Sequence, residues 1–357
     1  MLEDFEQAPE RKPRFKGALA AIISIGILGG LVVGGYFVAQ DAIRDVISRF
    51  QIEDYEGTGG PAVLITIEPG DTGEDVARKL VEADVIKSFD AIYRDMIAAN
   101  PTIYPGVYEY PTQIPGSRAL QILLSNTNKI VVQTTIPEGY RVAQIIPTLV
   151  ADLDLSEADV LAAIDAALPR LPDGAPSIEG FLFPATYTFN PGVDATTVID
   201  TMLNRMEAEL ADYDIELKEA LDLLTLASIV QLEGLIEQDF FKISRVFYNR
   251  LERNIALQSD PTVKYYYEGS IDSFQEGMKD EGNPFNTYYN PGLPPGPISS
   301  PGALAIEATM RPAQGDWLYF VSINLITGET IFSETLAAHE KAAELYRQWL
   351  RDHPDYD

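Results

Sequence analysis

Glu233 closes an apolar run, 223–234, that reads LLTLASIVQLEG. Leu223, Leu224, Leu226, Ala227, Ile229, Val230 and Leu232 make the run apolar on almost every side, the pattern of a buried helix. Gly234 follows as a helix stop. A carboxyl in that position meets an apolar wall and the negative end of the helix dipole, and both disfavour its ionisation. A general acid needs this in order to hold a proton near neutral pH. The same features also suit a structural glutamate at a partly exposed helix end, so the run alone leaves both readings open.

Other chemistry is restricted by composition. The 357 residues contain no cysteine, which excludes disulfides, thiol nucleophiles and Cys-ligated metals. Two histidines, His339 and His353, lie near the C-terminus. They cannot assemble a multi-histidine zinc site, and a Ser-His-Asp triad would have to recruit one of them. Catalysis is therefore expected to rest on carboxylates, hydroxyls, amides or arginine, with no metal and no cofactor. The net charge of −28 repels phosphate backbones and argues against nucleic acid as a partner.

Two further polar clusters follow Glu233. In 241–267, Ile243, Val246, Phe247 and Leu251 form a helical stripe, Asn249 and Arg250 end that helix, and LQSDPT at 257–262 makes a polar turn. Segment 283–302, NPFNTYYNPGLPPGPISSPG, is dense in proline and glycine and reads as a long, stiff loop. Its Asn286, Thr287, Tyr288 and Tyr289 set hydroxyls and amides beside aromatic faces, a mixture that suits sugars. A structural loop has the same composition. Asp260 is the second candidate carboxylate, with a turn cap before Pro261 as its alternative role, and Glu237 would come into play if the Glu233 helix continued.

These residues need positioning elements. Segment 17–39 is uncharged and long enough to cross a bilayer core, and Arg11, Lys12, Arg14 and Lys16 precede it. The positive-inside rule then leaves the N-terminus cytoplasmic and everything after Asp41 outside; a cleaved signal peptide would require a shorter apolar region. A short polar helix over 41–52 and the GTGGP linker come next. Beyond them the pattern predicts a strand at 63–67, helices around Val76–Leu80–Val81 and Ile92–Met96–Ile97, a strand at 106–111 and a helix at 119–124. TIEPG at 66–70 returns as TIPEG at 135–139, and Val76, Leu80 and Val81 correspond to Ile145, Leu149 and Val150 at the same offset. Both copies read as strand, glycine turn and amphipathic helix, either as two related modules or as one common unit used twice. A loop and strand at 179–189 and helices at 195–210 and 217–232 complete the pattern.

Taken in order, ASIV-x-x-E at 227–233, VFYNRL at 246–251, LQSDPTV at 257–263, NTY at 286–288 and GLPPGPISSPG at 292–302 resemble the endolytic murein transglycosylase (YceG-like) family. EGFLFPATY at 179–187, TIPEG and the N-terminal apolar segment match it as well. The resemblance covers the chain after residue 17. It implies an α+β fold with an N-terminal transmembrane helix, a small LysM-like α+β subdomain and a larger α+β catalytic domain. The corresponding boundaries are a cytoplasmic tail 1–17, a membrane helix 18–39, a linker 40–60, a LysM-like unit 61–130 and a catalytic domain 131–350.

The family's motif commonly reads ASIVEKE, with the second glutamate as catalytic acid. That position is Glu233 here, while Gln231 and Leu232 replace the preceding Glu-Lys pair. The resemblance implies that Ser228, Asn249, Gln258, Asp260, Asn286 and Tyr288 line or support a substrate groove. It implies non-hydrolytic cleavage of the β-1,4 bond between N-acetylmuramic acid and N-acetylglucosamine, closing a 1,6-anhydro ring. Ordinary glycosidases need two carboxylates; here Glu233 alone would serve as acid and then base. Glycan strands would be the substrate, penicillin-binding proteins the neighbours, and the inner membrane the location. A hydrolytic muramidase and a non-catalytic wall-binding scaffold are the alternatives.

Overall fold

In a computed structural model of the chain, the described residues are 52–125, 128–267 and 277–354, together with Gln40 and Gln275. The expected membrane helix at 18–39 and the polar helix over 41–52, apart from its last residue, lie outside them. Among the described residues no helix is long and apolar enough to cross a membrane. The chain is a mixture of helices and small antiparallel sheets. It separates into two compact units, one ending at Lys129 and one running from Ile130.

The first unit contains β1 (Ala62–Ile67), α1 (Gly73–Glu82), α2 (Asp90–Ala99), β2 (Gly106–Pro111), α3 (Gly116–Ser125) and the start of the short β3 (Lys129–Ile130). β1 pairs antiparallel with β2, with Ile65 opposite Tyr108. The alternation in β1 buries Ile65 and Ile67 and leaves Leu64 exposed. Helix α1 starts at Thr72 through a reciprocal cap: Thr72 Oγ1 accepts from Asp75 N at 3.3 Å, and the Asp75 carboxylate accepts from Thr72 N at 2.8 Å. Val76, Leu80, Ile92 and Met96 then pack on Tyr108 and Tyr110. Ile97, expected on the same stripe, is exposed.

The second unit opens on β4 (Val132–Thr135), α4 (Val142–Leu153) and α5 (Glu157–Ala167). β5 (Thr186–Phe189) pairs antiparallel with β4, and α6 (Ala195–Ala211) follows. The sequence repeat is a structural one. Gly70 and Gly139 both take positive φ, +96° and +76°, at the turn between strand and helix. Val76 and Leu80 in the first copy, and Ile145 and Leu149 in the second, are fully buried.

The apolar run does not form one helix over 217–232. A 3₁₀ turn at Leu217–Glu219 precedes α7 (Leu221–Glu233), which is buried on all faces from Leu224 to Val230. α8 (Glu237–Glu252) continues past Asn249 and Arg250, which therefore lie inside the helix instead of ending it. α9 (Asp260–Tyr266) starts within the expected polar turn, with Pro261 in its first turn. α10 (Ala303–Met310) packs against α7 and α8.

The chain ends in a hairpin, β6 (Tyr319–Asn324) with β7 (Glu329–Ser333), and α11 (Leu336–Asp352), which packs on β6. Neither was predicted. Every residue of β6 is half-buried, so it carries no inside–outside alternation to read.

Gly116 begins α3 so close to α2 that a Cβ there would overlap the Ala91 carbonyl. Backbone cannot yield as a side chain tip does. Gly116→Ala is expected to destabilise the first unit by about 1–3 kcal/mol, the usual scale of overpacking. Hydrogen exchange by mass spectrometry checks this: amides of 62–125 should exchange faster while those of 132–350 keep their protection.

Candidate active site

α7 delivers Glu233 on its last residue. Gly234 ends the helix, but not in the left-handed conformation expected of a terminal glycine; it is extended, at φ −77° and ψ 123°. Glycine is needed there for space, because a Cβ would run into the Phe240 ring. The helix stops here, and α8 begins at Glu237, which is exposed and outside the cavity that Glu233 lines.

That cavity has a volume of about 330 Å³. Glu233 and Asp260 bring carboxyls to its wall, Gln258 and Tyr288 bring an amide and a phenol, and Arg250 brings a guanidinium. Tyr319, Phe320, Leu336 and His339 close it from the C-terminal hairpin and α11. A pocket of this size falls in the range of ligand sites.

Glu233 as a residue is half-buried. Its Oε1 accepts from Ser259 Oγ at 2.7 Å, and Oε2 has no partner among the described residues. Burial pushes the carboxyl up to about 7; the Ser259 hydroxyl pulls it down, Asp260 pushes it up, and Lys264 pulls it down by smaller amounts. The direction is the one that the apolar run implied. Asp260 receives the Tyr288 hydroxyl at 2.5 Å. Burial first, and that bond to Asp260 second, raise the Tyr288 phenol far above its ordinary value, so Tyr288 is a donor throughout the accessible pH range.

Ser259 is itself held. Its backbone N–H donates to Thr287 Oγ1 at 3.0 Å, and Gln258 N–H donates to the Thr287 carbonyl at 3.0 Å. Gln258 adopts φ +53°, a conformation uncommon outside glycine and asparagine. The two Thr287 bonds and one from Arg250 Nη1 to Gln258 Oε1, at 3.2 Å, fix that turn. Each residue of the NTY motif thus has a separate task. Asn286 Nδ2 binds the carbonyls of Gly277, Met278 and Asp280 and folds its own loop. Thr287 holds the Gln258–Ser259 turn, and Tyr288 holds Asp260.

Three of the residues expected to bind substrate face the cavity: Gln258, Asp260 and Tyr288. The other three do not line it and are spent on the fold. Ser228 is fully buried; its hydroxyl donates to Thr225 O at 2.8 Å and accepts from Ile298 N at 3.0 Å, which pins the proline-rich loop to α7. Asn249 Nδ2 binds the carbonyls of Gly315 and Trp317 and draws the segment leading to β6 onto α8. Asn286 is buried in its loop as described.

Sequence reasoning missed Ser259, although it named both neighbours, and it read Arg250 only as a helix end. Nothing pointed to Tyr319 or Phe320, whereas His339 was visible as one of two histidines. The Gln231 departure has a physical reason. Its amide donates to Glu138 Oε2 at 3.2 Å and accepts from Gly302 N at 2.9 Å. An amide supplies both roles, whereas an ionised carboxylate supplies only acceptors.

Comparison with known proteins gives a consistent grouping. The model of the YceG-like family matches residues 65–345. An endolytic murein transglycosylase of Bacillus subtilis is 31% identical over 338 residues, covering 88% of this chain and 91% of the relative. One of Streptococcus pneumoniae is 28% identical over 87% of this chain, which spans 62% of that relative's length. A crystal structure of a YceG-like protein from Listeria monocytogenes covers 79% of this chain and 99% of its own, at 29% identity and a TM-score of 0.49.

A carboxyl raised from 4.5 to about 7 in the folded state binds more protons folded than unfolded between those values. Its contribution to stability is intact below pH 4.5 and is lost as pH rises towards 7. Glu233→Gln removes that loss. The variant should match wild type near pH 4.5 and exceed it at pH 8 by about 1–3 kcal/mol, from the linkage relation. Urea unfolding at the two pH values measures the difference.

Proposed function

Because this chain belongs to the YceG-like family, we propose that it is an endolytic lytic transglycosylase of peptidoglycan in which Glu233 is the acid–base catalyst. The observation that carries this reading is a carboxyl, raised to about 7, on the wall of a cavity lined by hydroxyl, amide and aromatic groups. The bond cleaved is the β-1,4 linkage between N-acetylmuramic acid and N-acetylglucosamine, and the product ends are 1,6-anhydro-muramyl.

Ser259 occupies Oε1, so the proton that reaches the substrate resides on Oε2. Glu233 protonates the leaving glycosidic oxygen as the C1–O bond breaks. It then accepts the proton of the muramyl C6 hydroxyl as that oxygen closes on C1. Each transfer needs the opposite protonation state, and a pKa near neutral pH suits both. Asp260, kept near by Tyr288, supplies negative charge towards the oxocarbenium-like centre. Gln258 and Tyr288 position the ring.

Asp260 in the same cavity also supports a second reading, hydrolysis by a two-carboxylate muramidase. Mass spectrometry of the products separates the two, because hydrolysis leaves ends heavier by one water.

The uncharged segment 17–39, with four basic residues before it, supports a single inner-membrane pass that places the catalytic unit on the wall side. We read the first unit as LysM-like and glycan-associated on sequence resemblance. Trimming or terminating nascent strands beside penicillin-binding proteins follows from the same resemblance, and crosslinking in cells that finds no synthase near the protein would overturn it.

Glu233→Gln should abolish anhydro-muramyl ends, by at least about 10²-fold for the loss of a general acid–base group. Digestion of purified glycan strands followed by chromatography checks this; unchanged product would remove Glu233 from the chemistry. For the wild type, kcat/KM should fall as pH rises through about 7, where the proton donor is lost. Ser259→Ala deletes a bond that lowers the Glu233 value, so its alkaline limb should move to higher pH. A limb that stays in place would mean that another group titrates.

A further inference from the structure

The acidic groups of the cavity face an arginine whose bonds to the fold leave part of its guanidinium unused. Arg250 is 7% exposed, and burial lowers its proton affinity. Its Nε donates to Leu318 O at 2.7 Å, and its Nη1 donates to the carbonyls of Ala256 and Leu257, at 3.0 and 2.9 Å, and to Gln258 Oε1. None of these partners is a carboxylate. Nη2 has no partner among the described residues, and the side chain lines the cavity. A buried guanidinium without a counter-ion is costly, since carbonyl dipoles replace only part of its lost hydration.

Two rings extend this corner of the cavity. The guanidinium lies 5.1 Å from the Tyr319 ring centre, and the Tyr319 ring stacks on the His339 imidazole at 5.3 Å and 21°. His339 Nδ1 is buried without a partner, which leaves Nε2 as the nitrogen able to meet a ligand. Burial and the neighbouring Arg250 push His339 towards its neutral form, so the positive charge of this corner is Arg250's, with His339 beside it as a neutral hydrogen-bonding partner. Arginine is the residue best matched to a carboxylate.

We propose that Arg250, Tyr319 and His339 form an anion subsite that holds a carboxylate carried by the muramyl residue of the substrate. The proposal rests on the peptidoglycan reading above. A muramyl residue presents carboxyl chemistry at its 3-O-lactyl arm. In a strand without peptides the lactyl carboxylate is free. In a strand bearing stem peptides it is an amide, and the carboxylates of the stem lie beyond it. Both sources offer the same group.

The test is a binding measurement on the full chain carrying Glu233→Gln, so that strands are not consumed. The four probes are amidase-stripped strands, the same strands with lactyl carboxyls converted to methylamides, stem-bearing strands, and stem-bearing strands with their carboxyls methylamidated. Methylamidation should weaken binding about tenfold, the scale of one hydrogen bond to a charged group. A loss in the stripped pair assigns the lactyl carboxylate, and a loss in the stem-bearing pair assigns the peptide. Arg250→Gln should abolish the loss. Because Arg250 also ties four acceptors of the fold, His339→Phe is the companion variant; it keeps the ring stack, removes Nε2 and should reduce the loss by roughly threefold, as for a neutral hydrogen bond. Affinities that stay within twofold on methylamidation of both strand types, or a loss undiminished in His339→Phe, overturn the subsite, as does failure to bind any strand. Wild-type protein that binds with these differences but yields no anhydro-muramyl ends would instead overturn the transglycosylase reading and leave the subsite standing.

Discussion

One carboxyl, held where its charge is disfavoured, sets the demands that the surrounding structure meets. Glu233 sits at the end of a helix that is buried on every side from Leu224 to Val230, takes a hydrogen bond from Ser259, and opens on a cavity. Burial raises it to about 7, and the Ser259 bond keeps it from rising further. A fully solvated glutamate would be ionised and unable to donate at neutral pH; a fully enclosed one could not reach a substrate. The α7 end meets both demands because the helix stops at Gly234, where only a glycine leaves room for Phe240.

Much of the surrounding polar structure serves that placement without touching the cavity. Thr287 holds the turn that presents Ser259, and Asn286 folds the loop that presents Thr287. Ser228 and Gln231 fasten the proline-rich loop to α7 at Ile298 and Gly302. Asn249 binds the backbone before β6, as does Arg250 from the cavity wall itself, and so they bring Tyr319 and Phe320 to the far wall. These residues exchange backbone solvation for internal bonds at buried positions, where leaving a group unpaired costs about 1–3 kcal/mol. A substitution among them would loosen the acid's setting without removing any reacting group.

The apolar run, the carboxyl and the glycine in consecutive positions made a buried helix ending in a carboxyl legible, but it was the resemblance of the ASIV-x-x-E motif, and not the run, that singled out Glu233 as the candidate acid. The strands and helices of the first unit, and the strand–turn–helix repeat, were readable because their periodicity lies within one segment. The division of labour among the motif residues was not readable. Ser228, Asn249 and Asn286 look like Gln258, Asp260 and Tyr288 in a string of polar letters, and only tertiary packing decides which of them face the cavity. Ser259 escaped notice because a serine between Gln258 and Asp260 has no distinguishing pattern of its own. The hairpin was missed because β6 is half-buried at every residue, which erases the alternation a strand usually shows.

The most direct test of the central claim is the titration of Glu233 itself. Carboxyl carbons can be followed by NMR in protein labelled at glutamate, with Glu233→Gln assigning the signal. The account predicts a Glu233 midpoint near 7, well separated from the exposed glutamates. A midpoint at the ordinary value of about 4.5 would show a carboxyl ionised at neutral pH, and Glu233 could not then be the proton donor.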